Sequence, residues 1–155
     1  MSMIRVMVVD DSEPWREFVL SSLRPAKTLR VVYEASDGLE AVLKAEELKP
    51  DLILLDIGLP SLNGIEAARR ILLRASQSKI LFMSQESDPE VVQAALSAGG
   101  RGYIVKSHAG SEMLAAIEAV VRGEQYLSQG LAEASEIRDT QPPGTTVSLM
   151  EEGND

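Results

Sequence analysis

The chain has 155 residues, with 24 Asp and Glu against 15 Lys and Arg, a formal net charge of −9 and no cysteine. That length suits one domain with one substantial core, and the missing cysteines exclude disulfides, thiolate metal sites and cysteine nucleophiles. The acidity works against binding nucleic acid through its phosphates, the basic residues are scattered (Arg24, Lys27 and Arg30, then Arg69, Arg70 and Arg74), and no zinc-finger spacing or RNA-binding aromatic motif occurs. No direct nucleic-acid binding is therefore expected. Charges break every apolar stretch well short of the roughly 20 residues a membrane span needs. With no basic leader and cleavage site ahead of the first strand, the expectation is a soluble, cytoplasmic protein without a membrane anchor.

Ile4 to Val9 reads as a strand of a sheet covered on both faces, because every residue but Arg5 is apolar. Ser12 then caps a helix with Pro14 in its first turn and Trp15, Val19, Leu20 and Leu23 at helical spacing, stopping near Arg24 ahead of Pro25. Val31 to Ala35 is a second, β-branched strand. Asp37 caps a helix to about Leu48, and Pro50 separates it from a third strand, Asp51 to Leu55. The turn-rich stretch Gly58 to Gly64 leads to a helix from about Ile65 to Ala75. Lys79 to Met83 is strand four. Asp88 and Pro89 open a helix that runs to Gly99-Gly100, Gly102 to Val105 is strand five, and Ser111 starts a last helix ending at Gly123. Five strand–helix repeats with short connections predict an α/β doubly wound parallel sheet with helices on both faces and its working site outside the carboxyl ends of the strands.

The polar residues at those ends converge. Asp10 and Asp11 follow strand one, Asp56 strand three, Ser84 strand four and Lys106 strand five. Three carboxylates make an oxygen-rich pocket suited to a hard divalent cation, which relieves their mutual repulsion. An aspartate beside such an ion can act as a nucleophile toward phosphorus, with a lysine and a hydroxyl neutralising the transferred group. Asp56 is the best acceptor candidate because it stands alone on a central strand opposite the Asp10–Asp11 pair, although residue physics alone does not choose it decisively. The single histidine, His108, has no histidine partner and reads as a surface-loop residue. Trp15 reads either as ordinary packing or as a fluorescent reporter of the pocket.

Together Val8-Val9-Asp10-Asp11, Asp51 to Pro60 with Asn63-Gly64, Ser84, Gly99-Gly100-Arg101-Gly102-Tyr103 and Lys106 resemble a response-regulator receiver domain of two-component signalling over residues 3 to 123. The resemblance implies a flavodoxin-like five-stranded sheet of strand order 2-1-3-4-5. It implies Asp56 as phosphoacceptor, with Asp10, Asp11, Asp56 and the Gly58 carbonyl holding Mg²⁺, or Mn²⁺ in its place. Ser84 and Lys106 would contact the phosphoryl group. Ser84 would also be a switch hydroxyl, and Tyr103 the aromatic whose position follows it and carries the signal to the helix-four to helix-five surface. Such a domain catalyses its own phosphorylation and slow dephosphorylation without being a conventional turnover enzyme. The implied partners are a histidine kinase or phosphotransfer protein and a second receiver in a homodimer.

The chain departs from the family pattern at Gln85, larger than the usual small residue after the switch hydroxyl, at Gly100 in place of the common alanine, and at Ser107 in place of the common proline. Met113 to Ser128 resembles the last helix and exit of the nitrate-response or LuxR-like subfamily, whose members continue into a helix-turn-helix transcription domain. The residues after Gly123 are too few for such a domain. The expected organisation is a receiver over 1–123, an exit segment over 124–138 with a short helix from Leu131 to Arg138, and a disordered, Pro-rich and acidic linker or tail over 139–155. The reading is the receiver part of a transcriptional regulator. Its alternatives are a stand-alone receiver that docks to a protein, a non-phosphorylated pseudo-receiver and a phosphatase-type hydrolase.

Overall fold

A computed structural model describes residues 3–131. In chain order the elements are β1 (Ile4–Val9), α1 (Glu13–Leu23), β2 (Leu29–Ala35), α2 (Gly38–Leu48), β3 (Leu52–Leu55), α3 (Gly64–Arg74), β4 (Lys79–Ser84), α4 (Pro89–Ser97), β5 (Gly102–Val105), α5 (Ala109–Val121) and β6 (Tyr126–Leu127). A 3₁₀ turn, Lys106–His108, joins β5 to α5. All strand pairs are parallel, and the sheet order is β2-β1-β3-β4-β5-β6. The predicted doubly wound order is thus present. A sixth strand, Tyr126–Leu127, extends it beyond the five expected from the sequence. The helix expected to begin at Leu131 and the linker from Asp139 lie outside the described residues, apart from Leu131 itself.

Side chains alternate across the central strands, and this divides the core in two. Met7, Val9, Ile53, Leu55, Ile80, Phe82 and Tyr103 face one layer with apolar residues of α2, α3 and α4. Val6, Val8, Leu52, Leu54, Leu81, Met83 and Ile104 face the other with α1 and α5. Because both faces are covered, the strands show continuous apolar runs rather than polar alternation. Among the described residues no helix is long and apolar enough to cross a membrane.

The helix starts follow local chemistry. Ser12 accepts the Trp15 N–H, Asp37 the Glu40 N–H and Asp88 the Glu90 N–H. Asn63, read from sequence only as a loop residue, accepts both Ile65 and Glu66 N–H and so begins α3 one residue early. Gly64, inside that first turn, is required by close approach: a Cβ there would lie 1.9 Å from the Asp56 carbonyl oxygen. The Gly99-Gly100 pair closes α4 tightly. Gly99 has φ +113°, a conformation glycine adopts without strain, and a Cβ on Gly100 would lie 2.6 Å from the Phe82 ring.

β6 is held by more than its own two residues. Ser128 is fully buried. Its hydroxyl donates to Glu112 Oε1 at 2.6 Å and accepts the Val105 N–H at 2.9 Å, while its own N–H donates to the Tyr103 carbonyl at 2.9 Å. Glu112 also accepts the Gln129 N–H at 3.1 Å. Removing the hydroxyl leaves the Val105 N–H and the Glu112 carboxylate short of a partner. Ser128→Ala is expected to destabilise the fold by about 1–3 kcal/mol, read as a lower urea midpoint at an unchanged slope. An unchanged midpoint would show that water replaces the hydroxyl at no cost.

Candidate functional site

The carboxyl ends of β1 and β3 lie side by side, so the residues that leave them meet. Asp10 donates its N–H to the Ala35 carbonyl at 3.0 Å, and Asp56 donates its own to the Val9 carbonyl at 3.1 Å, continuing the sheet ladder past both strands. Asp10 is 1% exposed and Asp56 8%, whereas Asp11 is exposed at the rim. One oxygen from each of Asp10, Asp11 and Asp56 lies within 4.8 Å of the others. The three carboxylates form an oxygen-only donor set that can hold a divalent metal ion.

Lys106, first residue of the 3₁₀ turn after β5, brings the countercharge. Its Nζ lies 2.6 Å from Asp10 Oδ2 and 3.5 Å from Asp56 Oδ2, with a side chain only 12% exposed. The other Asp10 oxygen accepts the Ser12 N–H at 2.9 Å, and Asp56 Oδ1 accepts the Ile57 N–H at 2.8 Å. Burial pushes the Asp56 carboxyl above the ordinary carboxylate range, and the charge of Asp10 adds to this. The Lys106 ammonium and the Ile57 N–H pull the other way without cancelling the effect.

A cavity of about 440 Å³ opens over this cluster and is lined by Asp10, Asp11, Asp56, Gly58, Ser84 and Lys106, together with Gln85, Glu86 and Val91. The fold therefore brings all the strand-end candidates of the sequence to one concavity. A Cβ on Gly58 would meet nothing within 4 Å, so that position is open to the cavity mouth. Gln85 is exposed and lines both this cavity and a neighbouring one on the α1 side.

Ser84 and Tyr103 lie on the β4–β5 side. Ser84 is 4% exposed, and its hydroxyl accepts the Glu86 N–H at 3.1 Å. Tyr103 is fully buried, its ring 6.2 Å from that of Phe82, and its hydroxyl donates to the Glu86 carbonyl at 2.7 Å. Burial raises the Tyr103 phenol further above neutrality, so it remains a donor. Both residues thus fasten the loop between β4 and α4 through Glu86.

Sequence reasoning passed over Glu86 and Arg16. Glu86 acts through its backbone, which no residue-type pattern reports. The Arg16 guanidinium donates to the Asp10 carbonyl at 2.7 Å and to Glu34 Oε1 at 3.2 Å. Its place one turn after the Ser12 cap was the available signal. Trp15 faces the site through Lys106, whose Nζ lies 4.8 Å from the centre of the indole.

The raised Asp56 carboxyl fixes the sign of a pH effect. The folded chain holds that proton more tightly than the unfolded chain does. Asp56 therefore favours folding below the ordinary carboxyl pKa, and this contribution is lost as the pH rises through the raised value. In metal-free buffer Asp56→Asn is expected to raise the thermal midpoint at pH 7, and the gain should vanish by about pH 3. Thermal unfolding across that range in the presence of a chelator checks it; a lower midpoint for the variant at pH 7 would contradict the dominance of burial.

Comparison with known proteins agrees with this geometry. A family model described as the response regulator receiver domain matches residues 6–118. The response regulator GacA of Pseudomonas viridiflava is 37% identical over 141 residues, covering 90% of this chain and 65% of that protein. The transcriptional regulatory protein LiaR of Bacillus subtilis is 36% identical over 130 residues, covering 84% of this chain and 62% of that protein. The chain thus spans less than two thirds of the length of either. A crystal structure of a LuxR-family two-component response regulator from Aurantimonas sp. SI85-9A1 superposes with a TM-score of 0.85 at 31% identity, covering 90% of this chain and 100% of that one. The carboxylate cluster and the Lys106 ion pairs have the phosphorylation-site architecture of such domains. Since the family match runs from within β1 into α5 and takes in every crossover between them, the chain belongs to the response-regulator receiver domains of two-component signalling.

Proposed function

We propose that the chain is a phosphorylation-activated signalling switch whose phosphoacceptor is Asp56. The observation that carries this reading is the position of Asp56: nearly buried, 3.5 Å from the Lys106 ammonium, and in one cavity with two further carboxylates. An Asp56 oxygen attacks phosphorus in line, an O–P bond forms, and the N–P bond of a phosphohistidine on a histidine kinase or phosphotransfer protein breaks. The imidazole leaves and takes its proton from solvent. Lys106 neutralises the transferred group and the Ser84 hydroxyl donates to it.

Asp10, Asp11, Asp56 and the Gly58 carbonyl are the residues that would hold Mg²⁺, with Mn²⁺ as a substitute, and the oxygen-only donor set fits either. When bound, the ion offsets the crowded negative charge of the carboxylates and the phosphoryl oxygens.

Signal output follows from hydrogen bonds around Glu86. A phosphoryl group that draws the Ser84 hydroxyl competes with the Glu86 N–H, whose residue also anchors Tyr103. The resulting bias falls on the loop before α4 and on the α4-to-α5 surface, limited to the differential free energy of the two states. A cytoplasmic receiver unit of a transcriptional regulator is the setting we favour, because LiaR, which this chain resembles, is named a transcriptional regulatory protein.

Incubation of the purified chain with acetyl phosphate or phosphoramidate and Mg²⁺, followed by intact-mass analysis, tests the reading. The expected result is one lasting phosphoryl adduct, lost in Asp56→Asn and lost with a chelator. No adduct in the unsubstituted chain would favour a pseudo-receiver, and rapid turnover of many phosphate esters would favour a hydrolase.

A further inference from the structure

The Lys106 side chain carries four rotatable bonds, so delivering its ammonium to one point requires neighbours that restrict it. Three do so. Asp10 lies at 2.6 Å, Asp56 at 3.5 Å, and the face of Trp15 has its centre 4.8 Å away. Both carboxylates are committed elsewhere in the proposed chemistry, one to a metal ion and the other to the incoming phosphoryl group. The indole is the neighbour that neither metal nor phosphoryl group competes for. Its negative face attracts a cation without offering an oxygen ligand.

Trp15 is itself held firmly. Its backbone N–H donates to the Ser12 cap at 3.2 Å, its side chain packs half-buried on the α1–α5 side of the core, and Phe18 lies beside it at 5.1 Å between ring centres. Next to this pair is a second cavity, about 620 Å³, whose wall includes Trp15, Phe18, Val105 and Lys106. That open volume gives Lys106 somewhere to swing if the ring no longer attracts it. The other ammonium–ring pair among the described residues, Lys44 over Tyr33 at 5.0 Å, lies on α2 and β2, away from the acidic cavity.

We propose that Trp15 is a positioning residue for Lys106, its indole face holding the ammonium over Asp56 through a cation–π contact while the carboxylates change partners. The inference rests on the reading of Asp56 as phosphoacceptor. It assigns Trp15 more than packing, since bulk alone would be supplied by leucine.

Trp15 is the chain's one tryptophan, which allows the ring's electrostatics to be changed without changing its shape. Replacing it with mono-, di- and trifluorotryptophan progressively weakens the ring's attraction for a cation. The rate of phosphorylation by acetyl phosphate at saturating Mg²⁺ is expected to fall stepwise along the series. The fall should approach about fivefold, the loss expected for Trp15→Leu. In a Lys106→Met background the series should be flat. A flat series in the unsubstituted chain, with the adduct still forming, would overturn the positioning role and leave the phosphoacceptor reading intact. Absence of any adduct would overturn that reading instead. The positioning role is then decided by NMR order parameters of the Lys106 ε-methylene, which fall along the series if the ring restrains the ammonium and stay constant if it does not.

Discussion

One ammonium among three carboxylates is the constraint around which the site is built. Asp10 and Asp56 place oxygens within 4.8 Å of each other, where two like charges repel by roughly 3 kcal/mol at an effective dielectric near 20. Lys106 bridges them, 96 residues along the chain from Asp10. The doubly wound topology makes this long-range contact, because successive crossovers return each strand in the same direction and so gather the carboxyl ends of β1, β3 and β5 at one edge. A single lysine cannot offset three carboxylates. The residual negative charge is what makes the pocket able to hold a cation, and the partial offset is what lets the fold tolerate it.

Two hydrogen-bonded routes lead away from the charged cluster along β5. One runs from Tyr103 to the Glu86 carbonyl and from the Glu86 N–H to Ser84, tying the loop before α4 to the cavity wall. The other runs from Val105, the residue before Lys106, to Ser128 and on to Glu112 of α5. A change at the strand ends therefore meets both the loop before α4 and the exit segment through direct hydrogen bonds.

Much of this was legible because a parallel sheet writes its own signature. Strands buried on both faces appear as unbroken apolar runs, and their carboxyl ends are where a polar residue first becomes permissible. That is why Asp10, Asp56, Ser84 and Lys106 stood out together. Asp37 and Asp88 announced their helices through capping chemistry that depends only on neighbouring residues. What escaped was set by three-dimensional contact. β2 begins at Leu29, before its β-branched core, because its early residues pair with Ile4 and Arg5 of β1. β6 is two residues long and depends on the buried Ser128 hydroxyl, which carries no strand pattern. Gly64 looked like turn punctuation, although its role is to let α3 pass against the Asp56 carbonyl. Trp15 could be placed beside the acidic pair from its position on α1, but not beneath the ammonium that reaches it from β5.

The most direct test of Asp56 as the reacting carboxylate, with Lys106 as its countercharge, is a crystal structure of the chain with Mg²⁺ and beryllofluoride, a mimic of the phosphoryl group. The expected result is beryllium bonded to an Asp56 oxygen, Mg²⁺ held by Asp10 and Asp11, and the Lys106 ammonium drawn from Asp10 onto a fluoride. Beryllofluoride bound to another residue, or Lys106 turned away from an occupied Asp56, would contradict it.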